Sequence, residues 1–167
     1  MTKESTTVVY GKEDAYLGFE ICTSSDGDRL IAFDSSTGSV DIYQYADQPE
    51  DYELLQDFRV DIFPGSADYA LSGDGNWLVF VGEDYDIDSG ITNIWVILHE
   101  FDRNLEKFMQ FKEPVLFGTT DAADWGYFDV AITHTGKYVA VSQRGKGEFV
   151  GEIRTYKRIP NQLEEVG

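Results

Sequence analysis

Apolar and polar residues alternate with a period of two along most of the chain, in runs of only four to eight residues. Arg29–Phe33, Ser39–Tyr45, Trp77–Val81, Asn93–Leu98 and Tyr138–Ser142 are rich in Val, Ile, Phe, Tyr and Trp. Such runs predict β-strands buried on one or both faces. Turn residues separate them: Ser35-Ser-Thr-Gly38, Pro64-Gly65, Ser89-Gly90 and Gly145-Lys-Gly147. No stretch carries the 3.6-residue period of a long amphipathic helix, so the expected class is all-β.

One phrase recurs three times. Leu71-Ser-Gly-Asp-Gly-Asn-Trp-Leu-Val-Phe-Val-Gly82 has counterparts in Thr23–Phe33 and in Ile132–Ser142, with turn glycines at Gly27, Gly75 and Gly136. These glycines are 48 and 61 residues apart. Seven residues before each stands an acid (Glu20, Asp68, Asp129), five before a small residue (Cys22, Ala70, Ala131) and three before a hydroxyl (Ser24, Ser72, Thr133). Columns that agree in register define an internal repeat. Four short strands in about 50 residues is the signature of a propeller blade rather than of a β-sandwich.

The first unit is expected to hold strands near Leu17–Thr23, Arg29–Phe33, Ser39–Tyr45 and Glu53–Val60. The second is expected to hold Ala67–Leu71, Trp77–Val81, Asn93–Leu98 and Lys107–Leu116. The third shows Tyr127–Ile132, Tyr138–Ser142 and Glu152–Tyr156, with no full fourth strand in the pattern. A single propeller-type domain over residues 1–167 follows, with blades at about 16–60, 66–117 and 125–166. Ser5-Thr-Thr-Val-Val-Tyr10 precedes the first unit as an outer strand would, so residues 5–10 are expected to complete the last blade. Three blades are fewer than closed propellers use. Closure is therefore expected through N-terminal strand exchange or self-association, giving a homo-oligomer that is either a dimer or a filament.

The hairpins resemble the FG-GAP-like repeats of β-propellers, the class that includes the integrin α-subunit head. Leu17-Gly-Phe-Glu-Ile-Cys-Thr-Ser-Ser-Asp-Gly27 and Trp125-Gly-Tyr-Phe-Asp-Val-Ala-Ile132 match the opening of that blade. Gly38-Ser-Val-Asp-Ile-Tyr-Gln-Tyr45 and Gly151-Glu-Ile-Arg-Thr-Tyr156 match its third strand. The resemblance covers most of residues 16–158 and implies a propeller. It implies little about function, because the fold hosts enzymes, adhesins and scaffolds. Gly82 keeps the glycine after the second strand, whereas Asp34 and Gln143 replace it in the other units.

Composition narrows the partners. The 167 residues are 42% hydrophobic and 14% aromatic, which suits a packed core. Thirty-one acidic against 13 basic residues leave a net charge of -18. That field disfavours nucleic acid and anionic membrane, and favours cations or basic proteins. The N-terminus lacks the apolar run of a signal peptide and no stretch reaches transmembrane length, so a soluble chain is expected. The single cysteine, Cys22, excludes an intrachain disulfide framework and leaves the compartment open.

The sharpest site signal is Glu83-Asp-Tyr-Asp-Ile-Asp-Ser-Gly90. Alternation of Asp84, Asp86 and Asp88 offers three oxygen ligands to a hard cation, and Ca²⁺ is the expected ion, though none is required. FG-GAP calcium loops are similar, but here the glycine comes one place late and Thr92 stands where a closing acid would be. Glu20, Asp68 and Asp129 fall on the innermost strands and could line a central channel; the alternative is a hydrogen bond to backbone or water. His99 and His134 have no metal-pair spacing, Cys22 sits in a small-residue column, and no nucleophile elbow or phosphate loop occurs. Trp125 follows an acidic loop and could anchor a protein or glycan.

The resulting expectation is a non-enzymatic structural or recognition module. It would self-associate into a larger assembly (a surface layer, a filament or a virus particle) and mediate protein–protein contacts. The alternative is a Ca²⁺-dependent adhesion or glycan-binding propeller. A hydrolase working from the channel carboxylates is the third class.

Overall fold

The computed structural model describes residues 20–34, 38–47, 50–60, 67–86, 88–121, 127–144 and 151–166. They form three antiparallel sheets in chain order. The first blade is β1 (Glu20–Thr23), β2 (Arg29–Asp34), β3 (Ser39–Asp47) and β4 (Glu50–Arg59), paired in sequence order. The second contains β5 (Asp68–Leu71), β6 (Trp77–Asp86) and β7 (Ile91–Asp102), with its outer position shared by β8 (Lys107–Gln110) and β9 (Val115–Asp121). The third is β10 (Phe128–Ile132), β11 (Tyr138–Gln143), β12 (Glu152–Ile159) and β13 (Gln162–Glu165). These are propeller blades, and three of them make an incomplete propeller. No helix among the described residues is long and apolar enough to cross a membrane.

The repeated phrase makes the first hairpin of each blade. Gly27, Gly75 and Gly136 adopt φ of +78°, +68° and +66°, the left-handed region that glycine enters without a Cβ penalty. In the first two blades the column hydroxyl and the aspartate just before the glycine brace the turn identically. Ser24 Oγ donates to Asp26 Oδ1 at 2.6 Å and accepts from Arg29 N at 3.0 Å; Ser72 Oγ donates to Asp74 Oδ1 at 2.6 Å and accepts from Trp77 N at 2.9 Å. In the third blade Thr133 Oγ1 accepts from Tyr138 N at 3.0 Å, and Thr135 stands in the place of that aspartate. Neighbouring turns are tied to one another: Ser25 N donates to Gly73 O at 2.9 Å, and Asp74 N to His134 O at 2.8 Å.

Strand alternation in the middle blade builds the core. Leu78 and Phe80 of β6, with Ile97 of β7, face the first blade and pack with Ile31, Phe33, Val40 and Ile42. Trp77, Val79 and Val81, with Ile94, Val96 and Leu98, face the third blade and meet Val130, Val139, Val141 and Tyr156. Each apolar cluster is thus a seam between blades, which is why β6 reads as an unbroken apolar run.

Two expectations about the outer strands are corrected. Lys107–Leu116 is not one strand: β8 pairs His99–Asp102 of β7, and β9 pairs Ile91–Val96. Between them Lys112 takes φ +59°, and Pro114 has no N–H to offer a ladder. Phe111 turns to meet Trp77 edge-on, ring centroids 5.3 Å apart. The third blade, conversely, has its own fourth strand, β13, paired through Tyr156↔Glu165 to Ile159↔Gln162. Its one apolar residue, Leu163, is buried in the second seam. The last blade therefore does not depend on residues 5–10 for an outer strand, and those residues lie outside the described ones.

Candidate functional site

The first strands of the blades lie side by side: β5 rests against β10 and β1 approaches β5. The acid column lies on these strands. Glu20 opens β1 opposite Phe33, Asp68 opens β5 opposite Val81, and Asp129 is the second residue of β10, opposite Ser142.

The short reach from β5 to β10 brings Asp68 and Asp129 together. Asp68 is half-buried, and its Oδ2 accepts a hydrogen bond from Val130 N at 2.7 Å, stitching the second blade to the third. Burial pushes the Asp68 carboxyl above the ordinary carboxylate value. Hydrogen bonds from the Val130 and Tyr69 amides pull the other way, while the charge of Asp129 and a hydrogen bond between the two carboxyls raise it further. Asp129 is exposed. A half-buried carboxyl with a raised value thus stands beside an exposed one on the adjoining inner strand. Of the two roles the sequence left open, lining a central channel or hydrogen-bonding to backbone or water, Asp68 makes the backbone bond.

The other sequence-predicted residues separate. Asp84 and Asp86 lie on the last part of β6, and Asp88 in the turn before β7; all three are exposed. Asp86 is occupied by that turn, accepting from Asp88 N at 2.9 Å and from Ser89 Oγ at 2.8 Å. The Ser89 hydroxyl first, then the Asp88 amide, hold its carboxyl below the ordinary value. Among the described residues no group of three or more His, Cys, Asp or Glu could hold a metal ion. Of Asp84, Asp86 and Asp88, the sequence's Ca²⁺ candidates, Asp86 braces a turn. Cys22 pairs with Ile31 and packs against the first seam. His134 is a turn residue whose carbonyl holds Asp74 N. Trp125 lies outside the described residues.

Three arginines with no role in the sequence reading clasp the seams. Arg29 lies 3.7 Å over the Phe101 ring and donates to Gly75 O, Arg158 lies 3.8 Å over Trp77 and donates to Gly136 O at 3.0 Å, and Arg154 covers Phe117 at 4.7 Å. Arg29 stands two places after a turn glycine. That position is the one trace of its role in the sequence.

No family model matches the sequence, and no curated protein matches it. Solved structures do. A provisionally named 6-phosphogluconolactonase from Bacteroides fragilis superposes with a TM-score of 0.58 at 20% identity, over 88% of this chain and 37% of its own. A second provisionally named 6-phosphogluconolactonase, from Bacteroides uniformis, gives 0.57 at 19% identity, over 87% and 38%. A protein from Lactobacillus plantarum gives 0.55 at 15% identity, over 92% and 41%. These are β-propeller proteins, and the likeness supports a propeller without singling out FG-GAP-like blades. The chain spans about two-fifths of the length of each. The comparisons also correct the functional expectation. A non-enzymatic assembly module, or a Ca²⁺-dependent adhesin, rested on propeller architecture without a catalytic motif. The same architecture is shared here with proteins named as lactonases, so it gives no ground for a non-enzymatic role.

Proposed function

We propose that these blades belong to a hydrolytic propeller that opens an uncharged cyclic ester of a sugar acid, with Asp68 and Asp129 as its acid–base pair. The observation that carries this reading is the carboxyl pair itself: Asp68, raised by burial and by its neighbour, beside the exposed Asp129 on the adjoining inner strand. Environments that push two carboxyls apart assign one as acid and the other as base. The names of the two Bacteroides neighbours supply the substrate class, and this chain's charge modifies it. A net charge of -18 repels a phosphorylated lactone, so a neutral one fits better.

In the proposed reaction ionised Asp129 takes a proton from water as the water oxygen bonds to the ester carbonyl carbon. The ring carbon–oxygen bond then breaks, and protonated Asp68 gives its proton to the departing oxygen. The product is an open-chain hydroxy acid, the net change being addition of one water. Asp68 then regains a proton from Asp129 or solvent.

The test is lactone opening by the full chain, followed in a pH-stat with glucono-δ-lactone and corrected for spontaneous hydrolysis. Asp68→Asn and Asp129→Asn should each lower the rate by about 10²-fold or more. Activity should also fade as pH rises through the raised Asp68 value, because the acid form is then lost. Wild-type hydrolysis at background level, or variants as fast as wild type, contradicts the reading.

A further inference from the structure

The proposed reaction leaves one charge without a counterpart. As water adds to the ester carbonyl carbon, the carbonyl oxygen becomes an oxyanion. Asp129 takes the water proton and Asp68 serves the departing oxygen, so neither holds that charge. A net charge of -18 makes the oxyanion costlier still. A cation within reach of Asp129 is the group the site needs.

The hairpin of β10 and β11 supplies one. Phe128 and Val130 of β10, with Val139 and Val141 of β11, pack into the second seam. Residues that alternate with them stand on the other face of the sheet. Ser142 is directly opposite Asp129, and the last pair of the two strands is Phe128↔Gln143. The ladder runs one step further, because Arg144 N donates to Tyr127 O at 3.0 Å. Arg144 is therefore opposite Tyr127, on the face that carries Asp129 and diagonal to it. Diagonal neighbours across an antiparallel pair are about 7–8 Å apart, a span that a long side chain bridges.

Arg144 is also uncommitted. Arg29, Arg154 and Arg158 each lie over an aromatic ring and donate to a backbone carbonyl. Arg144 is exposed, and its guanidinium has no ring, carbonyl or carboxylate partner among the described residues. A guanidinium is planar, always charged, and presents parallel N–H donors to oxygen. Its bond to a carbonyl oxygen strengthens as negative charge gathers there, which is what lowers a barrier rather than merely binding substrate.

We propose that Arg144 is a third catalytic residue of this site, its guanidinium donating to the ester carbonyl oxygen and holding the negative charge that develops as water adds. The inference rests on the Asp68–Asp129 reading and fills the one role that reading leaves open. Arg144 neither gains nor loses a proton, so the proton transfers stay with the two carboxyls. The open-chain product carries a carboxylate, which the same guanidinium binds with two N–H bonds.

The test uses the full chain and glucono-δ-lactone in the pH-stat. Arg144→Gln should lower kcat by about 10²-fold or more, with KM little changed. It should keep the fall in rate at high pH, which Asp68→Asn removes. Arg144→Lys keeps the charge without the fork and should recover about tenfold of the loss. Gluconate should inhibit the wild type and inhibit Arg144→Gln about tenfold more weakly. Arg59→Gln removes the same charge at the end of β4 and should stay within about twofold of wild type. A slow Asp68→Asn beside an Arg144→Gln as fast as wild type, or a loss that Arg59→Gln matches, overturns the role of Arg144 alone. Wild-type hydrolysis at background level overturns the carboxyl pair and Arg144 together.

Discussion

The two seams between blades are built from the same repeat and solve the same packing problem differently. The seam between the second and third blades is closed mainly by apolar matter, with the Tyr156 hydroxyl as a buried polar exception. Trp77, Val79 and Val81 interlock with Val139, Val141 and Tyr156, Arg158 caps the Trp77 ring, and the Gly136 turn is pressed onto that ring. The seam between the first and second blades carries polar groups at its outer part. Gln56 accepts from Phe108 N at 2.6 Å and donates to Phe108 O at 3.1 Å, and His99 is buried with a nitrogen unpartnered. The difference lies on one side of β7. At Lys112 and Pro114 the outer strand breaks, the ladder on β7 is interrupted at Ile97, and a cavity lies beside the gap. Blade geometry is a common frame; where one edge strand is interrupted, the seam beside it holds a cavity.

The largest expected effect breaks the closed seam. Gly136→Ala puts a Cβ onto Trp77 Cγ at a residue with φ +66°. Overpacking and left-handed strain together should cost about 2–5 kcal/mol in a urea melt. Gly90→Ala is the control: its φ is +70°, but nothing lies within 4 Å of the added atom. Strain alone should cost about 1–2 kcal/mol. Equal losses in the two variants would show that the third turn does not rest on Trp77.

A somewhat smaller effect probes the open seam. The His99 imidazole is lowered from 6.5 to about 4 by burial, so the folded chain binds fewer protons than the unfolded chain between those values. Its contribution is complete above pH 6.5 and is lost as pH falls toward 4, by roughly 3 kcal/mol in all. The wild type should lose that much stability relative to His99→Gln across this window, with the shared carboxylate titrations cancelling in the difference. Parallel pH profiles for the two proteins would contradict burial of a neutral imidazole.

Much of this frame is legible in the sequence. The three turn glycines and the hydroxyl column mark hairpins, and the acid column places Asp68 and Asp129 on inner strands because register is conserved from unit to unit. What escapes is whatever depends on how one blade meets the next. Trp95, Ile97 and His99 alternate along β7, yet nothing in that alternation tells which neighbour they face. Gln162-Leu-Glu-Glu165 has one apolar residue, too few to announce an edge strand, although Leu163 is enough to anchor it. Asp84, Asp86 and Asp88 look equivalent by spacing, but hydrogen bonds from Ser89 and Asp88 commit Asp86 to a local turn. Asp84 instead reaches the rim of the cavity.

The smallest effect in free energy bears most directly on the catalytic claim, at the inner end of the closed seam. Carboxyl-carbon NMR of Asp68 across a pH titration reads its protonation in wild type and in Asp129→Asn. Burial and the neighbouring carboxylate raise the Asp68 value, so the folded chain holds an extra proton above the unfolded value, and the stability this proton contributes is lost as pH rises through the raised one. The predicted result is a midpoint above that of an ordinary aspartate, moving down when the Asp129 charge is removed. An Asp68 midpoint at or below the ordinary value, unmoved by Asp129→Asn, would contradict the acid–base pair.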